Sequence, residues 1–161
     1  MEGTMKRLAL HDRKAWVEQA PIPSAHGANV VVRLESTPIC GSDKKHFLNP
    51  DKTIRYAGHE GTGVVVEVDK SNLVKVGDRV LTNCLSGCGV CEHCRSGNYV
   101  YCENKLPMDQ MASHFCQYTI LQDFLCIPLP EDISYDMGTL AGCVLAPAFQ
   151  TLQKMQVIPS D

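Results

Sequence analysis

Four cysteines near the middle of the chain have the type and spacing to bind one metal ion. They form the array C-x2-C-x2-C-x7-C, which consists of Cys88, Cys91, Cys94 and Cys102. Gaps of two residues let successive thiolates turn back toward one point, and a later cysteine can close the fourth corner of a tetrahedron. Zinc held by four sulfurs has no open coordination position, so the array predicts a structural site. Nearby Cys84 is an alternative ligand, but a packed core thiol is the better interpretation there.

A second set of potential ligands is dispersed along the chain. Cys40 and His59 both lie beside glycines at strand ends or in loops, and Cys143 comes just before the last predicted helix. Two thiolates and one imidazole would neutralise Zn²⁺ and leave one coordination position open, where the metal lowers the pKa of a hydroxyl group. Such wide separations cannot establish a site by spacing alone. The alternative for Cys143 is a small side chain packed near a helix start.

The elements that must position these ligands are mostly short strands. Valine runs at 30–32 and 64–66 indicate strands covered on both faces, and segment 75–80 predicts a tight turn with a positive φ at Gly77. After Pro130, segments 134–140 and 147–155 have helical character. β-Branched and aromatic residues predict strands at 5–10, 15–18, 29–35, 63–68, 78–81, 114–121 and 124–127.

Composition narrows the class of protein. The chain has 161 residues, of which 44% are hydrophobic and 20% charged, which suits one domain with its own core. A net charge of −3 without a basic run makes nucleic acid and anionic membranes poor partners. Nine cysteines and an amino terminus unlike a signal peptide favour a reducing, cytoplasmic setting. No strand-to-helix G-x-G-x-x-G motif for dinucleotide binding is present in the sequence.

Several motifs stand in order along the chain: Cys40-Gly41-Ser42-Asp43, Gly58-His59-Glu60-Gly61-Thr62-Gly63, Val76-Gly77-Asp78-Arg79-Val80, the cysteine array, and Phe115-Cys116-Gln117-Tyr118 before Pro128-Leu129-Pro130. Together they resemble the catalytic domain of the zinc-dependent, medium-chain alcohol and polyol dehydrogenases. The resemblance covers nearly all of residues 1–161 and implies a mainly β, GroES-like, barrel-type domain with a zinc lobe at about 84–105 and short C-terminal helices. It implies hydride transfer between an alcohol or polyol, or its carbonyl, and NAD or NADP.

The resemblance implies a second, catalytic zinc beside the structural one. Cys40 and His59 match its first two ligands, and Cys143 stands where relatives place a third ligand, either Cys or Glu. Glu60 would lie beside the metal as a supporting group or an exchangeable ligand.

Further roles follow from the same resemblance. Ser42 would hydrogen-bond the substrate oxygen and begin a proton relay, and Asp43 would orient the His59 ring. Relatives often carry a relay histidine five residues after the first ligand, whereas this chain has Lys45 there and His46 one residue later.

The resemblance also sets expectations for the whole protein. A nucleotide-binding domain is expected directly after Asp161, so residues 1–161 alone are predicted to be inactive. A small alcohol or carbonyl substrate and a homo-oligomer are implied. The alternative hypothesis is a non-catalytic zinc module for binding or assembly, which predicts one closed zinc per chain instead of two.

Overall fold

Two antiparallel sheets form the framework of the protein. A computed structural model describes residues 2–83, 85–105 and 113–156. A five-stranded sheet has the order β6-β3-β4-β5-β7, and β1 pairs with β2 as a separate hairpin. The strands are β1 (Thr4–His11), β2 (Lys14–Pro21), β3 (Asn29–Ser36), β4 (Glu60–Val68), β5 (Arg79–Asn83), β6 (Tyr118–Gln122) and β7 (Cys126–Pro128).

The core lies on the central strands. The run at 30–32 is covered on both faces as predicted, but the prediction is wrong for the run at 64–66, where Val64 and Val66 are only half-buried. Val30, Val31 and Val32 of β3 and Val65 of β4 are fully buried. Burying each such side chain stabilises the fold by roughly 1.5–3 kcal/mol. The predicted turn before β5 is confirmed, because Gly77 has φ +96° and Lys75 N–H donates to Asp78 Oδ2 at 2.9 Å. The mainly β fold class is therefore confirmed.

Two predicted strands are shorter than the sequence pattern indicates. The strand predicted at 114–121 begins only at Tyr118, because the Phe115 N–H donates to Ala57 in the loop before β4. The strand predicted at 124–127 begins at Cys126, because Asp123 starts a 3-10 turn and its carboxylate accepts the Phe124 N–H. A backbone hydrogen bond to another loop shortens the first strand and a side-chain carboxylate shortens the second, and β propensity registers neither.

The helices are short, and the one at Tyr135–Thr139 packs against β3 and β4, two inner strands of the five-stranded sheet. The helices α3 (Tyr135–Thr139) and α4 (Ala146–Met155) confirm the helical character predicted after Pro130. Ser134 caps α3 by accepting the Met137 N–H at 3.2 Å, and every side chain of α4 is exposed. Within the described part of the chain, no helix combines the length and apolar character needed to cross a bilayer. The helices are α1 (Lys44–Phe47), α2 (Glu92–Arg95), α3 (Tyr135–Thr139) and α4 (Ala146–Met155), with a π-helical segment at Ala141–Leu145.

Candidate metal centres

The four array cysteines converge on one point in the structure, and we call them the cysteine lobe. Their sulfur atoms all lie within 4.8 Å of one another. Cys91 caps α2, where its sulfur accepts the Cys94 N–H at 3.4 Å. Cys102 lies after the 3-10 turn at Tyr99–Tyr101, and its sulfur accepts the Cys88 N–H at 3.3 Å. Cys84, the alternative ligand, lies outside the described residues.

The electrostatics of the cysteine lobe suit a bound cation. Backbone N–H groups of Val90 and Cys91 lower the pKa of Cys88 to about 6, because they hydrogen-bond the thiolate. Burial raises the pKa of Cys94 to about 12, and the two sulfurs are only 3.9 Å apart. Four thiolates this close repel one another unless a cation neutralises them. The donor set and its N–H···S bonds therefore fit a tetrahedral zinc ion with no open position.

Gln122 on β6 fastens the cysteine lobe to the sheet, and sequence reasoning missed it. Its side-chain amide donates to Gly87 O at 2.6 Å and accepts the Gly87 N–H at 3.2 Å. Beside it, the Tyr99 and Phe124 rings pack with centroids 5.2 Å apart. A strand glutamine carries no sequence signal for this contact, because its partner is a backbone group 35 residues away.

The dispersed residues also converge, and we call Cys40, His59, Glu60 and Cys143 the open cluster. One ligand atom from each lies within 4.8 Å of the others. Cys143 Sγ is 3.5 Å from His59 Nε2, and Glu60 Oε1 is also 3.5 Å from that nitrogen. Cys143 is exposed, Cys40 and His59 are half-buried, and Glu60 is buried. One face of the cluster is thus open to solvent.

Three different elements carry the residues of the open cluster. Cys40 precedes the 3-10 turn Gly41–Asp43, Glu60 begins β4 directly after His59, and Cys143 lies in the π-helical segment. Non-helical angles at Gly142, φ −72° and ψ −107°, bend that segment beside Glu60. The tertiary fold therefore brings these residues together, and their spacing in the sequence does not.

Asp43 connects the first two of these elements. Its buried carboxylate accepts the Cys40 N–H at 3.0 Å through Oδ2 and the Gly58 N–H at 3.3 Å through Oδ1. Oδ1 is also 3.3 Å from His59 Nδ1. A carboxylate on this side favours the tautomer with the proton on Nδ1, which leaves the Nε2 lone pair directed into the cluster.

Gly58 allows this arrangement, because it has φ +79° and packs under Phe115. A Cβ at residue 58 would lie 2.6 Å from the Phe115 ring, so only glycine fits the loop that presents His59.

The remaining predicted site residues lie around the cluster. Ser42 Oγ is 3.3 Å from His59 Nε2, on the same side of the imidazole as Glu60 and Cys143. Lys45, at the relay position, is exposed, whereas His46 turns toward Asp43.

The open cluster fits a metal ion on two observations. Two sulfurs and one imidazole nitrogen are a preferred donor set for zinc and neutralise its charge. Glu60 Oε2 is buried and accepts no hydrogen bond from the described residues, which is costly for a carboxylate without a cation nearby.

Comparisons with known proteins agree with one another. Residues 26–131 match the family model of the alcohol dehydrogenase GroES-like domain. An uncharacterized zinc-type alcohol dehydrogenase-like protein of Escherichia coli (strain K12) is 29% identical over 90% of this chain and 45% of its own length. Sorbitol dehydrogenase of Bombyx mori is 32% identical over 76% of this chain and 38% of its own length. The chain therefore spans less than half of these relatives.

A solved structure shows the same fold. Alcohol dehydrogenase from Thermus sp. ATN1 superposes on 98% of this chain and 49% of its own with a TM-score of 0.84, at 24% sequence identity.

Proposed function

Because the chain belongs to the family of alcohol dehydrogenase GroES-like domains, we propose that it is the zinc-binding catalytic part of an NAD(P)-dependent alcohol or polyol oxidoreductase. The match confirms the family predicted from the sequence motifs. The observation that carries the proposal is the convergence of Cys40, His59 and Cys143 from three elements. A module that used zinc only for stability would need the cysteine lobe alone.

Each residue of the open cluster has a role in this proposal. Cys40, His59 and Cys143 would hold the catalytic zinc, while the cysteine lobe would hold a structural one. When bound, the catalytic zinc supplies a Lewis acid that lowers the pKa of an alcohol hydroxyl. Glu60, whose Oε1 lies 3.5 Å from His59 Nε2 and whose Oε2 accepts no hydrogen bond from the described residues, is the candidate for an exchangeable fourth ligand.

Ser42 and its neighbours would transfer the proton that the substrate releases. Ser42 Oγ lies beside His59 Nε2, so it is placed to accept the hydroxyl proton of a substrate that reaches the cluster from solvent. Asp43 holds His59 in the tautomer that leaves Nε2 free, and does so from the side opposite to the substrate. Exposed Lys45 replaces the relay histidine of relatives, so we propose that the proton passes from Ser42 to solvent near Lys45.

We further propose that residues 1–161 belong to a catalytic domain and include a zinc lobe at about 84–105. The nicotinamide nucleotide, a small alcohol or carbonyl substrate and homo-oligomeric assembly belong to the whole protein. The exposed side of the open cluster is where substrate and nucleotide would meet.

Metal content and activity test the proposal together. We expect two zinc ions in residues 1–161, and we expect the full-length protein to reduce NAD or NADP with an alcohol or polyol. Cys40→Ala should abolish turnover and remove one zinc while the other remains. A chain that holds one zinc, or a Cys40→Ala enzyme that turns over normally, would refute it.

A further inference from the structure

His46 occupies a place beside the open cluster that the proposed function does not use. It lies in α1, and its side chain is only 15% exposed although its neighbours in α1 are exposed. Its ring meets the Tyr56 ring edge-on, with centroids 5.7 Å apart and planes at 77°. Lys52 Nζ lies 5.7 Å from the Tyr56 ring centroid. Tyr56 therefore supports the imidazole and limits its rotation.

The inner edge of the His46 ring points at Asp43. Nδ1 lies 4.0 Å from Asp43 Oδ1, the oxygen that also faces His59 Nδ1 at 3.3 Å. Two imidazoles from different elements thus approach one buried carboxylate oxygen. The other carboxylate oxygen, Oδ2, is held by the Cys40 N–H.

The protonation state of His46 favours donation toward Asp43. Nδ1 is buried, and no hydrogen-bond partner for it is found among the described residues. Burial, with the charge of Lys45 as the next cause, lowers the pKa of His46, so the ring is neutral at neutral pH. A neutral imidazole carries one N–H, and a buried carboxylate is the acceptor that this proton favours.

We propose that His46 is a positioning residue, whose Nδ1–H donates to Asp43 and thereby fixes the carboxylate that orients His59 in the open cluster. The inference rests on the proposed function, since it concerns how well the open cluster holds its metal. A short movement of the ring converts the 4.0 Å approach into a hydrogen bond. His46 then takes no part in the proton relay.

Two substitutions separate this role from simple packing against Tyr56. His46→Phe keeps a ring of similar size and removes the nitrogen. His46→Asn loses the ring but places an amide N–H near the position of Nδ1. His93→Phe is the matched control, because His93 also faces a tyrosine ring, Tyr101, at 5.7 Å but is an exposed residue of α2 that belongs to neither set of ligands.

Cobalt(II) titration of the chain, followed by absorbance and by competition with a chelator, measures the open cluster without turnover. We expect His46→Phe to weaken the second cobalt by about threefold to tenfold, which is below the 10- to 100-fold typical of residues that contact a ligand directly. His46→Asn should restore binding to within about twofold, and His93→Phe should leave it unchanged. Equal binding by His46→Phe and wild type, or equal loss in both His46 variants, would overturn the role.

A measurement on the wild type covers the case in which a variant fails to fold. Nitrogen-15 NMR of the histidine rings should show the His46 proton on Nδ1, and a bare Nδ1 would overturn the inference. A wild-type chain that binds only one cobalt overturns the proposed function as well. Two bound cobalt ions with an unaffected His46→Phe variant overturn the inference alone.

Discussion

The cysteine lobe and the open cluster use similar ligands but are assembled in different ways. The lobe takes all its sulfurs from residues 88–102, and Cys94 and Cys102 are buried. The open cluster draws on residues 40, 59, 60 and 143, and leaves Cys143 exposed. In this chain the local ligands are partly or fully buried, whereas the ligands from separate elements leave one side exposed to solvent. The proposed function assigns the first set to a structural zinc and the second to a catalytic one.

Removing one sulfur from the cysteine lobe should have the largest effect on the fold. Cys94→Ser leaves three sulfurs, and the binding free energy of a structural zinc, roughly 10–16 kcal/mol in small peptides, contributes to folding. We expect this variant to lose one zinc and much of the thermal stability of the chain. Calorimetry combined with metal analysis measures both losses. An unchanged melting temperature would contradict a structural role for the cysteine lobe that the open cluster does not share.

Changing the carboxylate behind the open cluster should affect binding more than folding. Asp43→Asn keeps the side-chain volume but places an amide against His59 Nδ1, which disfavours the required tautomer. We expect metal affinity at the open cluster to fall by about 10- to 100-fold while the lobe keeps its zinc. Competition with a chromophoric chelator measures both, and equal losses at both sites would contradict the separation.

The clamp between β6 and the cysteine lobe offers a smaller test. Gln122→Ala leaves the Gly87 N–H and C=O without their side-chain partner, at a cost of about 1–3 kcal/mol. Urea unfolding should show this loss with both metals retained. If Gln122→Ala instead released metal from the open cluster, metal binding at the two sites would be coupled.

The ion pairs of Glu18 with Arg7 and Arg55 should contribute least to stability, and their contribution should depend on pH. Hydrogen bonding from Arg55, together with Arg7, lowers the pKa of Glu18, so the folded state binds this proton less readily than the unfolded chain does. The pair therefore stabilises the fold above the ordinary glutamate pKa of about 4.3, and the stabilisation disappears as the pH falls through the lower, folded value.

Glu18→Gln should accordingly cost at most about 1 kcal/mol at pH 7 and nothing in strong acid. Unfolding curves at several pH values, with zinc content as the control, check this. A larger loss of unfolding free energy at low pH than at neutral pH would contradict this pH dependence.

The sequence predicts the cysteine lobe more readily than the open cluster, for a physical reason. Fixed spacing identifies the cysteine lobe because a short loop can bring its own ligands together. The same reasoning cannot place Cys143 beside His59, since their approach depends on the sheet and on the bend at Gly142. The family resemblance supplied that expectation, and the geometry is consistent with it.

The contacts of single side chains outside the motifs were the least predictable part. Gln122 binds the backbone of Gly87 and His46 approaches the Asp43 carboxylate, but sequence patterns treat them as an ordinary strand residue and a displaced relay residue. The valine run at 30–32, the turn at Gly77 and the helical character after Pro130 depend on local chemistry, so they could be predicted.

Anomalous diffraction at the zinc absorption edge, from crystals of the zinc-loaded chain, tests the central claim most directly. We expect two anomalous peaks, one enclosed by the four sulfurs of the cysteine lobe and one among Cys40, His59 and Cys143. A single peak at the lobe, with the open cluster metal-free in zinc-saturated crystals, would contradict it.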